Sequence, residues 1–177
     1  MKNKVTTISR FCVGPLLVAV VSLAGVAIAE DTATKKDASA SKSSSLSVKD
    51  KTFMKKAAKG GMMEVAMGKL AEQNGQSDDV KSFGKRMVTD HSKANDELKS
   101  IAEKKGATLP SKEPTVKWSS DKAYMDVMVK DHEKDLAEFK EEASTGSDPD
   151  VKKFAEDTAK MVQEHLDLAK ETQGKLQ

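Results

Sequence analysis

The chain has 177 residues, of which 33% are charged, and its 30 basic side chains nearly balance its 28 acidic ones. This balance excludes the strongly basic surface that binds nucleic acids, so we expect no nucleic-acid partner. The one cysteine, Cys12, excludes a disulfide framework within the chain. The fold must therefore rest on the packing of apolar side chains, with a bound metal ion as a further source of stability.

The first 29 residues have the pattern of a secretory signal peptide. Basic residues precede a mostly apolar run at 11–28, which ends in the cleavage pattern Ala27-Ile28-Ala29. Cleavage would leave 27 basic and 28 acidic side chains, a formal charge of −1. We therefore expect a periplasmic or secreted protein with no stable membrane insertion after cleavage. An uncleaved membrane anchor is the alternative.

The next segment, residues 30–49, contains no aromatic residue and very few large apolar ones. A segment of this composition cannot bury enough apolar surface to offset the entropy that ordering would cost. We therefore predict a disordered tether at 30–49, between the signal peptide at 1–29 and one folded domain at 50–177.

From residue 50 onward, apolar residues recur at helical spacing, and no window alternates as a strand does. Helix start and stop signals divide this region, namely Asn74-Gly75, Ser77, Gly106 and Pro149. They predict four helices, at about 50–74, 78–105, 119–144 and 149–172. Four helices of ~25 residues, each ~37 Å long, indicate an all-α fold, a four-helix bundle.

The connection between the second and third predicted helices, residues 106–118, contains two prolines and is the longest in the domain. A connection of this length reaches ~43 Å when it is extended. It could cross the bundle lengthwise, as in ferritin-like folds, or fold over one end. The sequence alone leaves both topologies open.

Three pentapeptides share one pattern: MVTDH at 87–91, MVKDH at 128–132 and MVQEH at 161–165. Their histidines are the only three in the chain, and each falls on the apolar stripe of its helix when the sequence is projected at 100° per residue. The first helix has no histidine, but Glu64 lies in the middle of its apolar stripe. Because an unpaired buried carboxylate is costly, Glu64 requires a partner inside the bundle.

The four inward polar residues lie at similar heights on their helices, which predicts one shared site. We predict that a single transition-metal ion binds there, and its ligands would be Glu64, His91, His132 and His165. This donor set suits Fe, Zn, Cu, Ni or Mn and does not select among them. The alternative is a metal-free polar core in which Glu64 accepts hydrogen bonds from imidazole donors.

Two further residues of each pentapeptide bear on this site. The methionine lies on the same face one turn before its histidine, as core filler or, in a copper site, as a soft ligand. The acid before each histidine (Asp90, Asp131 or Glu164) turns ~100° away from it and cannot chelate together with it. These acids could orient a histidine of a neighbouring helix, but we favour charged flanks of the helix interfaces.

The strings MVTDHSKAN, AYMDVMVKDHEKDLAEFKEEA and DVKKFAEDTAKMVQEHLDLAK, together with Glu64 on the first helix, resemble the secreted domain-of-unknown-function 4142 family. The resemblance covers approximately residues 50–173. Members of this family are often labelled outer-membrane or exported proteins, and the family is similar to ferritin-like bundles. The resemblance therefore implies a ferritin-like four-helix bundle and favours a metal site, but it brings no established activity.

A di-iron centre of the ferritin type is not supported, because such centres use Glu-x-x-His motifs and valine stands three residues before each histidine here. The chain after the signal peptide also lacks a thiol, a G-x-S-x-G elbow, a P-loop and a dinucleotide fingerprint. We predict an exported metal-binding bundle for envelope stress or metal handling. The alternative is a non-catalytic structural or partner-binding envelope protein. Enzymatic activity, protein partners and homo-oligomerisation stay open.

Overall fold

The computed structural model describes residues 46–176, which contain helices and no strand. The helices follow one another as α1 (Val48–Asn74), α2 (Asp78–Lys105), α3 (Asp121–Thr145) and α4 (Pro149–Gly174). The predicted four-helix bundle is confirmed, and the helix ends agree with the predicted ones to within two residues. The predicted signal peptide and most of the predicted tether lie outside the described residues.

Local capping chemistry sets the helix ends. α1 begins two residues earlier than predicted because the Ser47 hydroxyl accepts a hydrogen bond from Asp50 N, and the Asp50 carboxylate accepts one from Ser47 N. α2 ends at Gly106, whose φ of 63° lies in the left-handed region that favours glycine. The Asp148 side chain caps α4, and Pro149 occupies its first position.

The connection between α2 and α3 crosses the bundle lengthwise. At one end of the bundle, the Asp121 carboxylate at the start of α3 accepts a hydrogen bond of 2.7 Å from Ser77 N in the α1–α2 turn. At the other end, Lys105 at the end of α2 forms an ion pair of 2.8 Å with Asp148 at the start of α4. Residues 106–120 must therefore run from one end to the other, which makes α2 and α3 parallel.

Two apolar clusters fill the bundle, and a polar layer lies between them. The first cluster lies towards the start of α1 and includes three phenylalanine rings, with centroids 5.1 Å apart for Phe53 and Phe139 and 6.1 Å apart for Phe139 and Phe154. The second cluster lies towards the end of α1 and includes Phe83 and Met128. The layer between these two clusters contains the three histidines.

α1 and α2 approach each other closely where two glycines meet. A β-carbon on Gly68 would lie 2.7 Å from Gly84 O, and one on Gly84 would lie 2.7 Å from Gly68 O. Both distances are shorter than a real contact of a β-carbon with backbone, so this approach requires glycine on both helices. The close approach fixes the register of α1 against α2, and thereby the height of Glu64 relative to His91.

Candidate metal centre

The bundle brings the three histidines together in one buried layer. His91 of α2, His132 of α3 and His165 of α4 are 6%, 1% and 0% exposed. Their ring centroids lie 5.3 to 5.8 Å apart. Each histidine offers one ring nitrogen, and the three nitrogens lie within 4.8 Å of one another. The imidazoles that the sequence places on three separate apolar stripes therefore converge on one point.

Each of these rings also has one buried nitrogen without a hydrogen-bond partner among residues 46–176. These atoms are Nε2 of His91, Nε2 of His132 and Nδ1 of His165. Buried polar atoms in native proteins are nearly always hydrogen-bonded. Three unpartnered nitrogens therefore lie together in one buried layer, which could hold a metal ion.

Hydrogen bonds on the far side of two rings decide which nitrogen carries the proton. His132 Nδ1 donates to Met128 O at 2.9 Å, which leaves a lone pair on Nε2. His165 Nε2 donates to the Asp90 carboxylate at 2.8 Å, which leaves a lone pair on Nδ1. Two of the three unpartnered nitrogens are therefore acceptors, and metal-binding histidines are usually oriented by such a hydrogen bond from their other ring nitrogen.

Asp90 orients His165 from the neighbouring helix, and an arginine holds Asp90 in turn. Arg86 Nε donates to the same Asp90 oxygen at 3.2 Å, and a terminal Arg86 nitrogen donates to Glu164 at 2.6 Å. The preference for a charged flank is therefore wrong for Asp90, whose carboxylate contacts a candidate ligand. It holds for Glu164, which is exposed. Sequence reasoning missed Arg86, although its position four residues before Asp90 on one helix was a signal.

Glu64 lies next to the group of three nitrogens rather than within it. The residue is 3% exposed, and its Oε1 lies 4.0 Å from His132 Nδ1, which is not the free nitrogen of that ring. Its Oε2 has no hydrogen-bond partner in the described part of the chain. Glu64 is thus close enough to belong to the same layer, and its coordination of an ion stays a prediction.

Burial keeps the three imidazoles neutral. It lowers the pKa of His91 well below the usual value of 6.5, and repulsion from the other two rings lowers it further. Burial, with repulsion from His165, lowers the pKa of His132 to about 4. Burial also lowers the pKa of His165, although the hydrogen bond with Asp90 opposes this. Rings that are neutral at pH 7 offer lone pairs without first losing a proton.

The carboxyl of Glu64 is neutral as well. Burial, followed by the negative charges of Asp135 and Asp131, raises the pKa of Glu64 to about 8. The three rings and Glu64 are therefore all uncharged at pH 7. A bound cation would favour the carboxylate form, so this layer has a proton to release when an ion binds.

The methionines of the repeated pentapeptides are core residues. Met87 and Met128 are buried in the second apolar cluster, and Met161 packs at the edge of the first. Filling gaps between apolar side chains is the commonest role of methionine. The fit of this layer to a metal therefore rests on its nitrogen donors.

The donor set suits a first-row transition metal. Imidazole nitrogens bind Zn, Cu, Fe and Ni, whereas Mg and Ca prefer oxygen ligands. Three histidines also form the protein ligands of some zinc sites that keep a fourth position for water or substrate. One ring nitrogen of each histidine lies within 4.8 Å of the other two, so the three residues could hold one ion between them.

A family model described as a domain of unknown function, DUF4142, matches residues 34–172. The chain belongs to this family. The resemblance of the sequence to DUF4142 is thereby confirmed, and DUF4142 brings no assigned activity. Comparisons with curated proteins and with solved structures found no match. None of the four helices of this DUF4142 bundle is both long and apolar enough to cross a membrane.

Proposed function

We propose that this DUF4142 protein is an exported, ferritin-like bundle that binds one transition-metal ion in its core. The ligands would be His91, His132 and His165, with Glu64 completing the set. The observation that supports this most is the trio of buried imidazole nitrogens without hydrogen-bond partners among residues 46–176. When bound, the ion would supply Lewis-acid or redox chemistry, and these side chains would hold it.

The count of protons weighs against a metal-free polar core. The unpartnered nitrogens, His132 Nε2 and His165 Nδ1, are acceptors, because each ring carries its proton on its other nitrogen. His91 Nε2 can donate to one of them at most, so one acceptor stays unpaired. Glu64 does not supply the missing donor, since it approaches His132 at the nitrogen that already donates. A single cation would satisfy all three lone pairs at once.

Export and metal handling are parts of the same proposal. The signal-peptide pattern at 1–29 supports export, and one long connection that crosses the bundle supports a ferritin-like topology. A buried site with neutral ligands suits storage, buffering or sensing of an ion under envelope stress. Catalysis would additionally require an open coordination position.

Metal content tests the proposal. Protein expressed from the full-length sequence and purified without an affinity tag should hold or take up about one equivalent of zinc, copper or nickel per chain. Binding should raise the melting temperature, because the ion binds the folded state only. His132→Ala should lose the ion. Met87→Leu changes a buried side chain one turn before His91 without removing a nitrogen, and this matched control should keep the ion.

Protein that contains no metal, takes up none on titration and shows no change in melting temperature would contradict the proposal. It would favour the structural or partner-binding alternative with a metal-free core. Loss of metal from Met87→Leu to the same extent as from His132→Ala would also count against His132 as a ligand, because both variants would then act through loosened packing.

A further inference from the structure

A cavity of about 630 Å³ lies between α1, α3 and the crossing connection. Its outer part is lined by lysines such as Lys56 and Lys134, whose side chains are 60% and 70% exposed. Its inner part is lined by the buried residues Thr158 and His91, and His91 is the one histidine among its lining residues. The cavity therefore joins solvent to the candidate metal layer on the side of His91.

Of two adjacent glycines of α1 that line the cavity, only Gly60 leaves open space. A β-carbon on Gly60 would lie 3.7 Å from Asp135 Oδ2, so the α1 backbone faces Asp135 with no side chain between them. A β-carbon on Gly61 would lie 2.0 Å from Asn95 Oδ1, so the Asn95 side chain already occupies the room that Gly61 leaves. Gly60 is therefore the position at which a larger side chain would narrow the cavity.

Asp135 is the half-buried carboxylate of this cavity that has no ion pair among the described residues, whereas Glu113, which also has none, is exposed. The neighbouring acid Glu138 lies 3.4 Å from Lys56 and 3.8 Å from Lys134, so its charge is already balanced. Asp135 forms no ion pair with any basic side chain that the structure describes, and it lies one turn after His132 on α3. Burial raises the pKa of Asp135 to about 6, so its carboxyl is mainly charged at pH 7.

We propose that this cavity is the route by which a divalent metal ion reaches the three histidines, and that Asp135 is the first protein ligand it meets. This inference rests on the metal site proposed above. A carboxylate oxygen binds a partly hydrated cation readily, and imidazole then replaces it because first-row metals bind nitrogen more strongly. Asp135 is a transient contact on this route, and His91 is the first resident ligand.

Uptake kinetics test the route. Metal-free full-length protein is mixed with excess cobalt(II), and the visible absorption of the imidazole-bound ion is followed by stopped flow. Asp135→Asn removes the charge and keeps the shape of the side chain, and Gly60→Leu narrows the cavity. Leucine favours a helix more than glycine does, so Gly60→Leu should melt no lower than the wild type. Glu133→Gln, an exposed change on the same helix, is the matched control.

We expect Asp135→Asn and Gly60→Leu to take up cobalt at least ~10-fold more slowly than the wild type and Glu133→Gln. Their equilibrium affinities should stay close to that of the wild type, because release through the same route slows as well. Both outcomes together would support the proposal.

Uptake at the wild-type rate in both variants would overturn the route. A slow Gly60→Leu beside a fast Asp135→Asn would overturn the role of Asp135. A large loss of affinity with an altered spectrum in Asp135→Asn would make it a resident ligand and overturn its transient role. Wild-type protein that binds no cobalt would instead contradict the metal site itself, which separates the two failures.

Discussion

Two groups of buried polar side chains lie in this bundle, and they solve the problem of burial differently. At the end where α1 begins, the Asp50 carboxylate accepts hydrogen bonds from Ser47 N at 3.1 Å and Ser147 N at 2.9 Å. The buried Glu142 carboxyl lies beside this carboxylate and influences its pKa. In the histidine layer, one ring nitrogen of each histidine has no hydrogen-bond partner among the described residues. Burial is common to both groups, but only the histidine layer brings one ring nitrogen from each of three residues within 4.8 Å of the other two.

The charges of the two groups differ in the same way. Burial alone would raise the pKa of Asp50, but hydrogen bonds from Ser147, Ser47 and Glu142 outweigh it and lower the pKa to about 2. Burial and the hydrogen bond with Asp50 raise the pKa of Glu142 to about 7. This pair therefore shares one proton, and the chain itself satisfies Asp50, although Glu142 Oε1 has no hydrogen-bond partner among the described residues. The histidine layer is uncharged, and its three unpartnered ring nitrogens could hold a cation.

The largest expected effect separates the two groups by metal affinity. His132→Ala removes a nitrogen donor and should weaken zinc binding at least ~100-fold. Asp50→Ala should leave zinc affinity unchanged, because Asp50 lies in the first turn of α1, far from the histidine layer. Isothermal titration calorimetry measures the zinc affinity of both variants and of the wild type. An equal loss in the two variants would show that the layer responds to general loosening, and the distinction between the groups would fail.

The second effect concerns stability and follows from the partners of Asp50. Asp50→Ala removes a helix cap and leaves Ser147 N without its acceptor, so it should cost ~2 kcal/mol of unfolding free energy. Asp78→Ala, an exposed acid in the first turn of α2, should cost ~0.5 kcal/mol or less. Urea denaturation measures the unfolding free energy of both variants. A cost for Asp50→Ala as small as that for Asp78→Ala would contradict a structural role for the Asp50 group.

A smaller effect tests the orientation of His165. Asp90→Asn weakens the hydrogen bond that holds the ring, and it should lower zinc affinity ~10-fold. Glu164→Gln is the matched control, since Glu164 also pairs with Arg86 but has no hydrogen bond to a histidine. It should bind zinc as the wild type does. Equal zinc affinities of Asp90→Asn and the wild type would show that Asp90 does not orient His165 for metal binding.

The smallest effect is the pH dependence of the Asp50 group. Because the pKa of Glu142 is raised from 4.5 to about 7, the folded state holds this proton more tightly than the unfolded chain. Its stabilisation is complete below about pH 4.5 and is lost as the pH rises through about 7. Gln does not titrate, so the wild type should lose ~1 kcal/mol relative to Glu142→Gln across this range.

Urea denaturation at several pH values measures this difference. The histidines contribute the opposite slope, because their pKa values are lowered, but their contribution is common to both proteins and cancels. A difference that does not change with pH would show that Glu142 does not carry the shared proton.

The helices were predictable because their signals are local. Gly106, Asp148 and Pro149 set helix ends through chemistry within a few residues. The start of α1 was missed by two residues because Ser47 lies in a serine-rich run that reads as a tether. The course of residues 106–120 was not predictable, since contacts between residues distant in sequence fix it, such as Asp121 with Ser77.

The sequence predicted which residues form the candidate site, but not which of their atoms are available to bind an ion. Helical periodicity placed the histidines and Glu64 inside the bundle. It could not show which ring nitrogen is free, because that depends on Met128 O and on Asp90 of another helix. Nor could it show that Glu64 lies beside the three nitrogens, since that requires the register of α1 against α3.

The central claim is that the three histidines hold one ion, and X-ray absorption of protein loaded with one equivalent of zinc tests it most directly. We expect imidazole scattering from about three nitrogens at ~2.0–2.1 Å, reduced by one imidazole in His132→Ala. A coordination shell of oxygens alone, or a shell that His132→Ala leaves unchanged, would contradict the account.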